Sequence, residues 1–305
     1  LTLYDLPAPA KLNLFLHIVG RRQDGYHLLE SLFRLVSLSD SVTIDLRSDG
    51  LISRQTSESN AWPAQDDLVV RAAKALQRST GVRVGAHIAV EKRIPVGGGL
   101  GGGSSDAATV LLALNRLWRT GLTRAQLMQI ALPLGADVPF FLLGQAAFVT
   151  GIGEQLQPVV LPDQSYLVYQ PSVSVPTAAV FGAPDLTRDA EPVKISDFSG
   201  RCRFMGTDPF GCNNLEPVVL KLFPAVRQAQ QWLIGQGFES RLTGSGACLF
   251  SEFDSPLDAT LAYEQLLAKI TAQQVGNKAV EQFCLHSVSA CDGLLSHPLQ
   301  HWVVD

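Results

Sequence analysis

The chain has no long apolar run, no excess of basic charge and no paired-cysteine spacing. None of its apolar stretches approaches the roughly 20 residues that a membrane-crossing helix needs, so no membrane partner is expected. Lys and Arg number 24 against 28 Asp and Glu, giving a net charge of −4 and a pI near 5.9. That balance argues against a nucleic-acid partner held by a broad basic surface. Residues 1–5 (LTLYD) offer neither a basic n-region nor a clean apolar h-region, so no signal peptide is expected there. The five cysteines, Cys202, Cys212, Cys248, Cys284 and Cys291, are odd in number and contain no C-x-x-C. They read as reduced packing thiols of a cytoplasmic protein. The six histidines show no H-E-x-x-H spacing, which argues against a zinc site of that kind. What remains, at 305 residues with 46% hydrophobic and 17% charged, is enough for one large globular domain or two ordinary ones.

Glycine, by contrast, is concentrated. Residues 95–106 read PVGGGLGGGSSD, with six glycines around one leucine. Each glycine costs roughly 0.4–1 kcal/mol against alanine through the freedom of the unfolded chain. Together they amount to roughly 2–6 kcal/mol, a large part of a typical stability of about 5–15 kcal/mol. Such a loop is expected where something must approach the backbone closely. After it, Ala107, Leu111, Leu114 and Trp118 recur at helical spacing, with Ser104 as the expected N-cap. Before it, residues 86–91 (AHIAVE) read as a strand. Strand, glycine loop and helix N-terminus in that order form an anion site, most often for phosphate.

The rest of the chain sorts coarsely. Residues 8–20 (APAKLNLFLHIVG) alternate as a strand and residues 20–25 (GRRQDG) make a turn. Another strand covers 42–46, and Leu68, Ala72 and Leu76 mark a helix over 67–79. A helix opened by Thr123 runs over 123–131, and two more are expected near 215–235 and 258–273. Composition loosens around 151–153 and 158–162, where a second domain is expected to begin. Intermixed strands and helices indicate an α+β class.

Three familiar chemistries fail at the glycine loop. No lysine follows the glycines, so the loop is not a Walker A sequence. Six glycines in seven positions satisfy G-x-G-x-x-G trivially, and no acid stands near Leu117 to bind a dinucleotide ribose. G-x-S-x-G is absent, because Gly244-Ser245-Gly246 has the wrong spacing. A phosphate cradle of another design is left, with its catalytic charges supplied from elsewhere.

Pro95, Val96, Gly97, Gly98, Gly99, Leu100, Gly101, Gly102, Gly103, Ser104 and Ser105 resemble the second motif of the small-molecule kinase superfamily of galactokinase, homoserine kinase and mevalonate kinase, the GHMP kinases. Pro9-Ala10-Lys11-Leu12-Asn13-Leu14 resembles its first motif and Leu242-Thr243-Gly244-Ser245-Gly246-Ala247 its third. Asp24-Gly25-Tyr26-His27, Gly135-Ala136-Asp137-Val138-Pro139, and Val175-Pro176-Thr177 followed by Phe181 resemble the branch that phosphorylates a cytidine-diphosphate-linked methylerythritol.

The resemblance implies a two-domain α+β GHMP-kinase-like fold with the active site in the inter-domain cleft. Residues 1–155 would bind ATP and residues 156–305 the acceptor, the last residues packing back on the first domain. It implies ATP with Mg²⁺ as cofactors, residues 95–105 around the phosphates, Asp137 as the base and Lys11 as its partner. Asp137 is in any case a lone carboxylate in an apolar stretch over 130–143, which is costly unless it is paired or used. Tyr26 and Phe181 would sandwich the cytosine, His27 would read its edge, and Asn13 and Thr177 would lie near the erythritol and phosphate. Ser104 and Ser105 stand open between capping the helix and touching phosphate or Mg²⁺. Asp67 departs from the asparagine common among relatives and puts one adenine contact in doubt. Asp106 suits a helix dipole but opposes a bound phosphate. A homoserine- or mevalonate-type kinase, or a nucleotide-binding sensor without turnover, are the competing readings.

Overall fold

The computed structural model describes residues 1–55, 67–198, 209–276 and 284–305. Cys202 falls outside them; Cys212, Cys248, Cys284 and Cys291 are free thiols. Burial alone pushes the Cys248 thiol up to about 12, and burial is the largest of the causes that raise Cys291 to about the same value.

The chain opens with a long hairpin, β1 (Thr2–Arg21) and β2 (His27–Arg47), followed by β3 (Ile52–Arg54). Helix α1 (Leu68–Thr80), β4 (Gly85–Glu91), α2 (Gly102–Leu117), α3 (Arg124–Ala131) and α4 (Val138–Leu143) come next, then β5 (Ala147–Thr150) and β6 (Gln155–Pro158). These strands form one sheet in the order β3-β4-β2-β5-β6, with β1 paired to β2. The pairings are antiparallel except β3 with β4. Next come β7 (Ser165–Pro171), α5 (Thr177–Phe181), α6 (Glu216–Leu222) and α7 (Pro224–Gly235). Strands β8 (Arg241–Leu242) and β9 (Leu249–Phe253), helix α8 (Pro256–Gly276) and strand β10 (Leu285–Asp292) complete the elements. The second sheet, β10-β7-β9-β8, is wholly antiparallel.

Several expectations shift for physical reasons. The helix expected over 215–235 is two helices, because Pro224 disfavours the helical conformation at Phe223 between them. Thr123 does open α3, with a capping box completed by Gln126. The first strand does not bury one face only: residues 8–17 are buried on both. Leu12, Leu14 and Phe15 share one apolar cluster with Leu32 and Phe148 of the first sheet and Tyr166 and Phe250 of the second. β1 is therefore wedged between the sheets. Its register against β2 shifts between Pro9 and Ala10 and again between Asn13 and Leu16. Bulges of this kind re-aim side chains beside functional sites, and between them Lys11 and Asn13 share one face.

The C-terminal segment returns to the first sheet's helices. Leu299 and Val303 join the cluster formed by α1, α2 and α4. Arg124 ties the segment down by donating to the carbonyls of Leu142 (2.6 Å) and Gln300 (2.9 Å). His297 is buried beside it, and its Nδ1 accepts from the Leu299 amide at 3.0 Å. Burial, with Arg124 adding to it, pushes His297 down to about 4.

The unfolded chain therefore takes up a proton at His297 near pH 6.5 that the folded chain refuses until about pH 4. Stability is full above pH 6.5 and falls as the pH drops through that window. His297→Gln should lose about 2–3 kcal/mol less than the wild type between pH 7 and pH 4.5. Denaturant titrations at the two pH values measure this, and equal losses would remove His297 as the source.

Candidate active site

The glycine loop lies between β4 and α2, and Gly97, Gly99 and Gly101 alternate through the left-handed region at φ 70°, 77° and 71°. Much of the close approach it permits is to the protein itself. A Cβ on Gly99 would stand 2.3 Å from the Thr243 carbonyl oxygen, and one on Gly98 2.5 Å from Cys248 Sγ. One on Gly101 would meet Phe141 at 2.9 Å and Lys11 at 3.1 Å. The opposing turn reciprocates, since a Cβ on Gly244 would lie 2.9 Å from the Gly99 carbonyl oxygen. Gly103 differs: a Cβ there touches only Leu68 Cδ1, at 3.6 Å.

Helix α2 starts three residues earlier than expected. Gly101 is its N-cap, no side chain caps it, and neither Ser104 nor Ser105 does so. Ser105 is buried and its amide donates to the Gly101 carbonyl, while Ser104 faces a cavity of about 440 Å³. Val96, the glycine loop and Ser104 line one side of that cavity, and Leu68, Val69, Ile88 and Val90 supply an apolar wall. An uncapped helix start beside an apolar slot suits a phosphorylated ligand with a planar apolar end.

Two acids border the same cavity, and each is matched by a cation. Asp67 caps α1 by accepting from the Val69 amide and pairs with Arg54. Asp106 pairs with Lys92 at 2.8 Å, and Lys92 also pairs with the buried Asp40. Burial pushes Asp106 up to about 7 although Lys92 pulls the other way, and Asp40 adds to the rise. Lys92 is raised by these two carboxylates against its own burial.

Lys11 is 4% exposed. Its ammonium donates to Asn13 Oδ1 at 2.5 Å, stands 3.6 Å from Asp137 Oδ2 and lies over the Phe33 ring. Burial lowers the Lys11 pKa below the ordinary lysine value and Asp137 offsets part of that fall. Asp137 sits at the start of α4 without capping it, its side chain one-third exposed. Backbone contacts hold the pair in place: the Lys11 amide donates to Leu100 O (2.9 Å) and the Asn13 amide to Thr243 Oγ1 (3.0 Å). Asn13 Nδ2 donates to Ser31, so most of the Asn13 amide serves Lys11 and the core. Thr243, Ser31 and Cys248 complete this constellation. Only Thr243 lay in a motif, and no residue pattern marked the other two.

A second group of predicted residues lies near the turn end of the hairpin. Tyr26 is 61% exposed. His27 packs on Phe181 with ring centroids 5.1 Å apart. Thr177, at the start of α5, shares a 2.8 Å hydrogen bond with Ser245 of the third motif. Arg188 was not singled out in the sequence, yet its Nε donates to His27 Nε2 at 3.1 Å. Burial, then Arg188 and Arg21, lower the His27 pKa. A neutral imidazole packed on an aromatic ring fits recognition of a flat, polar heterocycle.

The GHMP kinases N terminal domain family matches residues 67–145, and the GHMP kinases C terminal family matches residues 196–271. The chain is 55% identical over 304 residues to the 4-diphosphocytidyl-2-C-methyl-D-erythritol kinase of Bordetella parapertussis, covering 99% of each. It is 47% identical over 301 residues to the like-named kinase of Aromatoleum aromaticum, covering 99% of this chain and 97% of that one. Among solved structures, a 4-(cytidine 5'-diphospho)-2C-methyl-D-erythritol kinase superposes with a TM-score of 0.74 at 33% identity, covering 96% of this chain and 99% of that one. Homoserine kinase from Cytophaga hutchinsonii shares the fold, with a TM-score of 0.68 at 16% identity, covering 97% and 95%.

The two kinds of glycine separate folding from binding. Gly103→Val should reduce affinity for ATP while leaving the melting temperature nearly unchanged, because its side chain meets only Leu68 and space. Gly99→Ala should destabilise by more than about 1 kcal/mol from backbone strain alone, with the Thr243 clash added. Calorimetric binding and thermal melts on both variants check this; normal ATP binding by Gly103→Val would move the phosphates elsewhere.

Proposed function

The chain belongs to the 4-diphosphocytidyl-2-C-methyl-D-erythritol kinase family of the GHMP kinases, and on that premise we propose that it transfers the γ-phosphoryl group of ATP to the 2-hydroxyl of 4-diphosphocytidyl-2-C-methyl-D-erythritol. The step belongs to the non-mevalonate route to isoprenoid precursors. One observation carries the reading: the pair of buried Lys11 and part-exposed Asp137 is bonded through Lys11 to the glycine loop and through Asn13 to the turn that meets Thr177. Phosphate cradle, charge pair and acceptor pocket are thus one connected structure.

Asp137 takes the proton of the 2-hydroxyl as its oxygen attacks the γ-phosphorus, the bond to the bridging oxygen breaks, and ADP leaves. Lys11 balances charge on the transferring group, and Asn13 holds Lys11. Positioning and charge stabilisation are most of what phosphoryl transfer requires. The uncapped start of α2 and the amides of residues 96–104 hold the phosphates, with adenine against Leu68, Val69, Ile88 and Val90. Tyr26 and Phe181 stack on cytosine, His27 reads its edge, and Thr177 lies near the acceptor's phosphates. Residues 1–155 form the ATP-binding domain and 156–305 the acceptor domain, the cleft between them being the site. The free thiols suit a reducing cytoplasm.

Mg²⁺ fits the oxygen donors present. It usually keeps several waters and binds through one or two carboxylates and substrate phosphates. Among the described residues no group of three His, Cys, Asp or Glu could cage a metal, whereas Asp137 and Ser104 could each offer one oxygen. When bound it would neutralise phosphate charge.

Homoserine and mevalonate kinases share the fold at low identity, but the Tyr26, His27 and Phe181 pocket favours the cytidine acceptor. Initial rates of ATP consumption test this. The cytidine-linked acceptor should turn over, whereas methylerythritol phosphate without its cytidylyl group, homoserine and mevalonate should be very poor substrates. Comparable turnover of any of the three would refute the cytidine reading.

Positioned bases contribute roughly 10²–10⁴-fold. Asp137→Asn should therefore lower kcat by at least about 100-fold and leave ATP affinity within a few-fold. Steady-state kinetics with a melting-temperature control decides; wild-type-like turnover removes Asp137 as the base.

A further inference from the structure

Arg188 holds its guanidinium in an unusually complete frame. Nη1 donates to the Leu186 carbonyl at 3.0 Å, and Nη2 to the carbonyls of Ala183 (2.7 Å) and Phe181 (3.2 Å). These three acceptors lie in or just after α5, so the group cannot swing without releasing the turn that carries Phe181. Of its two other donors, Nε–H points at His27 Nε2, 3.1 Å away. Arginine cannot accept a hydrogen bond, so Nε2 must carry the lone pair. The imidazole is then the neutral tautomer with its proton on Nδ1, and the ring is packed against Phe181 at 5.1 Å.

We infer that Arg188 is a positioning residue that locks His27 as an Nδ1–H donor and so makes the acceptor pocket prefer cytosine over uracil. The inference rests on the proposed placement of His27 at the edge of the base. Cytosine presents an unprotonated N3 to a donor, and uracil presents N3–H. A free histidine could serve either base by moving its proton between its nitrogens. Here that move would set Nε2–H against the Arg188 Nε–H, two donors facing each other. Uracil is therefore refused by the arginine behind the histidine, because accepting it would set two part-buried donors against each other with neither paired. Lysine could not reproduce the effect, since a single ammonium cannot hold three carbonyls and the imidazole in one plane.

The test compares kcat/KM for cytidine- and uridine-diphosphate-linked methylerythritol in the full-length protein. The wild type should favour the cytidine acceptor by about 5–150-fold, the range expected for one unpaired polar group. In Arg188→Met the ratio should fall toward unity through KM for the acceptor, with KM for ATP unmoved. Arg188→Lys, which keeps the charge, should behave alike and serves if the methionine variant does not fold. Nitrogen-15 spectra of the histidines should show His27 as Nδ1–H in the wild type and as a tautomer mixture in the variants. An unchanged ratio in the folded variants, or an Nε2–H or doubly protonated His27 in the wild type at neutral pH, overturns the inference. His27→Ala separates the two levels. If it leaves KM for the cytidine acceptor unchanged, the placement of His27 fails and the inference with it. If it raises that KM while the arginine variants keep the ratio, only the role of Arg188 fails.

Discussion

Two glycine turns, one from each sheet, meet with no side chain between them. Gly99 lies against the Thr243 carbonyl and Gly244 against the Gly99 carbonyl, at distances no Cβ could share. The Cys248 amide closes the contact by donating to Gly98 O at 3.3 Å. Strand β1 is then sutured to both turns, through Lys11 to Leu100 and through Asn13 to Thr243. The conformational entropy lost at the glycines, roughly 2–6 kcal/mol in all, is thus offset largely by contacts within the protein. A ligand is only one of the things that approach this backbone.

That suture explains how an ammonium can sit at 4% exposure. Burying an unpaired lysine is costly, and most buried charges are paired or coordinate metals. Asn13 supplies a short hydrogen bond, Asp137 a charge, and Phe33 the face of a ring. The Asp137 carboxylate stays one-third exposed while Lys11 is held still, as its proposed role as the base requires. Water excluded from the lysine makes its field stronger at the atoms that remain near it.

The cavity beside the glycine loop manages its acids differently. Two carboxylates at its border would oppose a polyanion, but Asp67 is matched by Arg54 and Asp106 by Lys92. Asp106, raised to about 7, also carries less charge near neutral pH than a surface aspartate. The departures at 67 and 106 are therefore absorbed by cations that come from β3 and from the segment after β4.

The strand, glycine loop and helix order and the α+β class were legible in the chain alone. Local backbone chemistry carries those signals: glycine clusters, caps and apolar spacing act over a few residues. Thr123 shows it, since its capping box spans only four positions. Packing between distant elements explains why Gly99 is glycine, facing Thr243 some 140 residues away, why β1 is buried on both faces, and why Asn13 serves Lys11. It alone brought Arg188 to His27, 161 residues apart. These are contacts between elements, and neither partner carries a local trace of the other. Which atoms meet is set by how two sheets pack on one strand, and spacing along the chain cannot encode that.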